Sequence, residues 1–217
     1  AAEQAETATA AATAVVPDNL LLKKWTGPYD GVPPWDQVKL EQFSPAFQFG
    51  IDEMLREIDV IANNPAYPSF ENTIVPMERA GERLDYVQSI FGVYASNLAT
   101  PEVQALNKEW SPKLSAAYDK ITLNAKLFDR IAKLYEHREH VGLDAKQMRL
   151  LTRTYEGFVR RGAKLDEAQK AQLSDYNQQL AAAFSDFNAK LLADESTYTT
   201  ATEADLAGVP ADVKNAA

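Results

Sequence analysis

The sequence predicts an all-α fold, a bundle of long antiparallel amphipathic helices that follows an irregular N-terminal segment rich in proline and aromatic residues. Three observations support this prediction. Between residues 43 and 195, apolar residues recur at intervals of three and four, which places them on one side of an α-helix. Helix start and stop residues separate these stretches. Before them, the prolines and glycines of residues 27–34 exclude a long helix.

The composition is that of a folded, acidic protein. Hydrophobic residues make up 46% and charged residues 24% of the 217 residues, as is usual for globular proteins. The formal net charge is −9, and no basic run is present, so the chain repels nucleic-acid phosphates and anionic membrane surfaces. No apolar run approaches the roughly 20 residues of a membrane-spanning helix. We therefore expect neither a nucleic-acid partner nor a membrane partner.

The absence of cysteine excludes disulfides, thiolate zinc sites and cysteine nucleophiles in this chain. It does not determine the compartment, because a cysteine-free protein suits a reducing and an oxidising environment equally. The first 19 residues are rich in alanine and threonine and lack an initiator methionine. A chain from which a signal peptide has been removed looks like this, and so does an artificially trimmed chain. Of the two, we favour an exported protein.

Four segments are expected along the chain. Residues 1–17 form a flexible tail rich in alanine and threonine, and residues 18–42 form an extended segment rich in proline, glycine and aromatic residues. Residues 43–195 form the helical domain. Residues 196–217 are a connector and the start of a next, truncated region, because a helix start signal ending at Pro210 has almost no chain after it.

The extended segment carries an apolar pair, Trp25 and Trp35, outside any helical stripe. Two roles are open to these tryptophans: they line a groove, or they cover a hydrophobic seam between helices. We favour the second, because large aromatic side chains mostly contribute to packing.

The first two helices are predicted from caps and apolar spacing. Ser44 is the predicted N-cap of the first, which ends at Asn63. The second begins near Asn72 or Thr73 and continues as one helix past Tyr94. Their apolar sides are formed by Phe47, Ile51, Met54, Ile58 and Ile61 in the first helix, and by Met77, Leu84, Val87, Phe91 and Tyr94 in the second.

The third helix opens at Thr100 and stops near Asn124, with a kink or a break expected at Pro112. A fourth covers residues 125–139. Asp144 caps the fifth, and Gly162 ends it.

The sixth and longest helix starts at a capping box formed by Asp166 and Gln169. Its apolar residues follow a nearly heptad order, which predicts packing along a neighbouring helix. They are Leu173, Tyr176, Leu180, Phe184, Phe187 and Leu191.

The chain's two histidines, His137 and His140, are the first candidates for chemistry. Two imidazoles three residues apart share a helix face, so a metal carrier that uses both is one hypothesis. Their spacing fails the H-E-x-x-H template and its inverted form. Histidines in a last helical turn also favour the negative end of the helix dipole, which is the interpretation we prefer.

Other catalytic patterns do not stand out. The adjacent carboxylates Asp52 and Glu53, and likewise Asp194 and Glu195, lie on predicted solvated faces. The serine-nucleophile signatures, the dinucleotide-binding glycine motif and the P-loop are absent. No residue is therefore assigned as catalytic or metal-binding, and the sequence identifies no substrate-binding residue.

Several stretches resemble a known family in their order and spacing. They are LLLKKW at residues 20–25, GVPPWD at 31–36, FSPAF at 43–47, IDVIANNP at 58–65, SFENTI at 69–74, MERAG at 77–81, LLADE at 191–195 and EADLAGVP at 203–210. Together they resemble the N-terminal portion of bacterial peptidyl-dipeptidases (dipeptidyl carboxypeptidases) of the thimet oligopeptidase family of zinc metallopeptidases. Trp35 stands where the family usually has phenylalanine, and Asn19 is not followed by the family's proline.

The resemblance implies a zinc peptidase that releases dipeptides from the C-termini of oligopeptides. In this family an H-E-x-x-H helix and a later glutamate hold the zinc, which activates a water, while the motif's glutamate acts as general base. None of these residues occurs in this chain, so no catalytic residue transfers to it. Zinc is expected in the parent enzyme and not in this fragment.

The resemblance further implies a role and partners. The chain is expected to be the non-catalytic N-terminal helical domain that forms one wall of the substrate channel. Its partners would be the C-terminal catalytic domain of the same polypeptide and short unfolded peptides. A bacterial origin follows from the resemblance, and the composition of the first 19 residues favours the periplasm over the cytoplasm. The alternative is a stand-alone helical interaction or inhibitor module without enzymatic activity.

Overall fold

The structure is a computed structural model that describes residues 15–25, 31–195, 197 and 201–216. Within these residues the regular elements are α-helices, short 3₁₀ turns and one π-helical turn, without a β-strand, so the predicted all-α bundle is confirmed. The α-helices are α1 (Phe43–Ala62), α2 (Val75–Arg79), α3 (Glu82–Asn97), α4 (Pro101–Thr122), α5 (Ala125–Glu136), α6 (Ala145–Arg160), α7 (Glu167–Glu195) and α8 (Ala211–Ala216).

The chain divides into two compact units, one up to Ser185 and one from Asp186 onward. The first contains α1 to α6 and most of α7, and the second contains the end of α7 and α8. The predicted flexible tail lies outside the described residues up to residue 14. Residues 26–30 of the predicted extended segment and residues 196, 198–200 and 217 of the predicted connector lie outside them as well. No helix of the described chain combines the length and apolar character needed to cross a bilayer.

Helix α1 carries the core of the first unit, because its apolar side contributes to two hydrophobic clusters. The first cluster joins the N-terminal half of α1 to α3, α4 and the leucines at residues 21 and 22. Phe47 packs there on Phe91 and Trp110, with ring centroids 5.4 Å and 5.2 Å away. The second cluster joins Ile58 and Ile61 of α1 to α5, α6 and the π-helical turn Phe70–Ile74.

The start of α1 differs from the prediction. A 3₁₀ turn, Leu40–Gln42, leads directly into α1 at Phe43, so Ser44 lies inside the helix and is not its N-cap. The Ser44 hydroxyl accepts a hydrogen bond of 3.0 Å from the indole Nε1 of Trp110. A tertiary contact has therefore replaced the local capping bond.

The two tryptophans of the N-terminal segment pack against α3. Trp25 meets Tyr86 edge to face, with ring centroids 5.7 Å apart, and its indole donates to the carbonyl of Leu20. Trp35 lies 6.2 Å from Tyr94. Trp25 is partly buried against the first cluster, whereas Trp35 is 40% exposed, so the role of the pair in covering a seam stays a prediction.

The prediction of the second helix is wrong about where the helix starts and about its being one continuous helix. The π-helical turn Phe70–Ile74 opens it, with the Ser69 hydroxyl accepting from the amide of Asn72. The helix then ends at Arg79, and α3 begins after Gly81. Gly81 has a φ of 86° and donates its amide to Glu57 Oε2 at 2.8 Å. This left-handed residue interrupts the helix because a contact with α1 holds it there.

The remaining boundaries follow the sequence more closely. Helix α4 runs through Pro112 without a break. Helix α5 ends at Glu136, three residues before the predicted 139, and a turn follows. The caps at Asp144 and Asp166 are confirmed, since both carboxylates accept from the amide three residues later.

The apolar side of α7 departs from the prediction most clearly. Tyr176, Leu180 and Phe184 are 56%, 55% and 59% exposed. In the second unit, Phe187 and Leu191 are exposed as well. The expectation that this stripe packs along a neighbouring helix is therefore wrong for the described chain.

Two glycines of the α3 region provide a matched test of these backbone assignments. Replacing Gly81 by alanine is expected to destabilise the chain by about 1–3 kcal/mol, because a left-handed alanine is strained. Its Cβ would also lie 3.0 Å from Met54 Cγ and Sδ. Gly92→Ala, inside α3 with open space around the new methyl group, should stabilise by about 0.5–1 kcal/mol. Urea unfolding measures both, and equal effects of the two changes would contradict the assignment.

Candidate functional site

An open depression of about 610 Å³ lies between the loop after α1 and helix α5. Its walls are formed by residues 62, 64–68, 125, 126, 129, 130 and 133. Asn63 caps the C-terminus of α1, and Pro65 and Pro68 then keep the loop from returning to helix. Asn124 is the N-cap of α5, and its side chain accepts a hydrogen bond of 3.0 Å from the amide of Leu127.

Arg130 joins the two walls of the depression. Its side chain is buried, with 5% of the residue exposed. Nη1 donates to the carbonyls of Asn64 and Ala66 at 2.6 Å and 2.9 Å. Nη2 donates to Asn72 Oδ1 at 2.8 Å and Thr73 Oγ1 at 3.2 Å. A single guanidinium therefore fixes both the loop and the π-helical turn.

The surroundings of Arg130 explain its electrostatics. Burial lowers the pKa of the guanidinium from its ordinary value, and the charge of Asp129 opposes that shift. Asp129 itself pairs with Lys133 at 2.7 Å, and Lys126 donates to Asn63 Oδ1 at 2.6 Å. Both lysines of the rim are thus engaged with neighbouring side chains, and the hydroxyl of Tyr67 in the lining lies 3.4 Å from Nδ1 of His137.

Arg130 is a residue that the sequence analysis did not single out. Its signal is present, because it lies on the apolar side of α5 at helical spacing with Leu127, Ile131 and Leu134, all of which are buried. A charged residue in an apolar stripe indicates a buried polar contact, since an unpaired charge there is strongly unfavourable.

The two histidines do not form a site together. His137 is the C-cap of α5, and its Nδ1 lies 2.9 Å from the carbonyl oxygen of Lys133. Because that oxygen only accepts, Nδ1 carries the proton in this contact, and Nε2 is the ring nitrogen that keeps a lone pair. His140 lies in the following turn, where its backbone amide donates a hydrogen bond to the backbone carbonyl of His137. Among the described residues, no group of three or more histidines and carboxylates is placed to hold a metal ion.

The adjacent carboxylates are also engaged separately. Asp52 accepts from Gln48 at 3.0 Å, and Glu53 pairs with Arg83. Asp194 and Glu195, at the end of α7 in the second unit, are both exposed. Neither pair is a desolvated pair of the kind that general acid–base catalysis uses.

A different carboxylate in the first unit has a raised pKa. Burial raises the pKa of Asp85, and burial together with the Asp85 charge raises the pKa of Tyr118. The Tyr118 hydroxyl donates to Gln88 Oε1 at 2.7 Å. These groups lie between α3 and α4, away from the residues of the depression, and we assign them a structural role.

The sequence of this helical chain is similar to that of a class of peptidases, the dipeptidyl carboxypeptidases. No protein-family model matches the chain. The similarity confirms the resemblance to peptidyl-dipeptidases that the motifs indicated.

Two particular relatives carry this similarity. The dipeptidyl carboxypeptidase of Escherichia coli is 38% identical over 175 residues, and that of Salmonella typhimurium is 36% identical over 175 residues. The matched region is 81% of this chain and 26% of each relative. The chain therefore spans about a quarter of the length of these relatives.

The Arg130 contacts predict a large and local loss of stability. Arg130→Met should destabilise the chain by about 3 kcal/mol, because it leaves several partly buried oxygens without the donor that they share. Lys126→Met, on the exposed rim of the same helix, should change stability by no more than about 0.5 kcal/mol. Urea unfolding of both variants measures the difference in the free energy of unfolding. A loss of stability in Arg130→Met as small as that in Lys126→Met would show that the guanidinium is dispensable.

Proposed function

We propose that this chain is the non-catalytic N-terminal helical domain of a zinc peptidyl-dipeptidase that releases C-terminal dipeptides from oligopeptides. The observation that carries the proposal is the similarity over 81% of this chain to two dipeptidyl carboxypeptidases, of which it spans 26%. The rest of the enzyme, with its catalytic domain, belongs in this proposal to the part of the relatives that the chain does not cover.

The role that we propose for the domain is architectural. Its helices form one wall of the substrate channel, which admits short unfolded peptides and keeps folded proteins from the catalytic centre. Such exclusion needs a stiff surface rather than specific side-chain recognition. Two hydrophobic clusters joined by α1, and the Arg130 bonds that fix the loop after it, support this role.

The zinc of the proposed enzyme is held outside this chain. The residues present do not fit a zinc site, because the described histidines and carboxylates form no group of three or more that could hold a metal ion. We therefore do not propose the two-histidine metal carrier. The periplasmic location of the whole protein stays a prediction.

A stand-alone helical interaction or inhibitor module is the second candidate. The exposed apolar residues of α7 favour it, since such surfaces are typical of binding sites. The coding sequence distinguishes the two candidates. The peptidase requires an open reading frame that continues to an H-E-x-x-H motif, whereas the module requires a stop codon near residue 217.

The proposal predicts that the isolated 217-residue chain binds no zinc stoichiometrically and releases no dipeptides from an oligopeptide. The longer polypeptide should bind zinc and release dipeptides. A chelator should abolish its activity, because zinc activates the attacking water. Metal analysis by mass spectrometry and a dipeptide-release assay measure the two properties. Chelator-sensitive activity in the isolated chain would overturn the proposal.

A further inference from the structure

Helix α7 places its polar side, and not its apolar side, against the rest of the first unit. Amphipathic helices normally bury their apolar side and expose their polar side. In α7 the most buried residues are Lys170 and Ser185, which are 6% and 7% exposed. The apolar side chains of Tyr176, Leu180 and Phe184 are each more than half exposed. We call these three residues the Leu180 face.

Polar contacts explain how α7 lies against the body. Asn177 donates to Asp119 Oδ1 at 2.9 Å, and Asn107 donates to Ser185 Oγ at 3.3 Å. Both partners, Asp119 and Asn107, belong to α4. The polar side of α7 is therefore already occupied, and rotating the helix to bury the Leu180 face would break these bonds.

The spacing of the Leu180 face defines what can cover it. Its residues are four apart, so they form one ridge along the helix. Ridges of this kind pack into the groove of another helix. An exposed apolar ridge that the fold cannot bury is typical of an interaction surface.

We infer that the Leu180 face is the surface on which the remainder of the longer polypeptide packs. The inference rests on the proposed function. It is argued from the length of the relatives, of which 26% is matched by this chain, so most of the relatives' length is available to cover the face. A second copy fits less well, because two chains of net charge −9 repel each other.

The absence of cysteine from the chain allows a direct test of this surface. Leu180→Cys places a single thiol on the Leu180 face, and Ala171→Cys places one at an exposed position on the opposite side of α7. Each variant is made in the 217-residue chain and in the longer polypeptide. The rate of alkylation at each site is followed by peptide mass spectrometry, with wild-type circular dichroism as the criterion of folding.

The thiols of the two variants should react at similar rates in the 217-residue chain. In the longer polypeptide we expect the thiol of Leu180→Cys to react at least about tenfold more slowly and that of Ala171→Cys to be unchanged, because reactivity follows access to the thiol. Equal rates for Leu180→Cys in both proteins would overturn the inference, and so would protection of both variants. Concentration-dependent protection of Leu180→Cys in the 217-residue chain would overturn it in favour of a second copy.

The proposed function is tested separately on the same longer polypeptide. Dipeptide release without protection of the Leu180→Cys thiol would leave the peptidase proposal intact and refute the docking surface. Protection of that thiol in a polypeptide that releases no dipeptides would support the packing surface and refute the peptidase.

Discussion

Burial of one side of α1 is the interaction on which the rest of the first unit depends. Residues at helical spacing in Phe43–Ala62 supply side chains to both hydrophobic clusters, so one helix connects the N-terminal segment, α3 and α4 to α5 and α6. Burying a large apolar side chain contributes about 1.5–3 kcal/mol. Phe43 and Phe47 are fully buried and meet the aromatic rings of α3 and α4.

The need to satisfy the loop carbonyls after α1 explains the hydrogen bonds of Arg130. Where the helix ends, the chain must leave the core as a loop, and its carbonyls need donors because they are partly buried. Arg130 supplies those donors from α5. This arrangement ties the loop after α1 to α5 and to the π-helical turn, which suits the architectural role that we propose for the domain.

Local signals in the sequence predicted the features that depend on neighbouring residues. The caps at Asp144 and Asp166 and the stops after α1 and α6 follow from two to four consecutive residues, so a pattern is sufficient to locate them. Gly81 could not be predicted as a break, because its conformation is fixed by Glu57, 24 residues earlier. Ser44 was mistaken for a cap for the same reason, since its hydroxyl meets Trp110.

Periodicity likewise showed which side of α7 is apolar but could not show what covers it. The bonds of Asn177 and Asn107 decide the rotation of the helix, and neither is visible in a hydrophobic pattern.

The most direct measurement is an experimental structure of the longer polypeptide with a bound peptide product. We expect its catalytic metal to be held by residues outside this chain. We also expect Leu180 to be buried against the remainder of the polypeptide. A metal ligand within residues 1–217, or a solvent-exposed Leu180 face, would contradict this account.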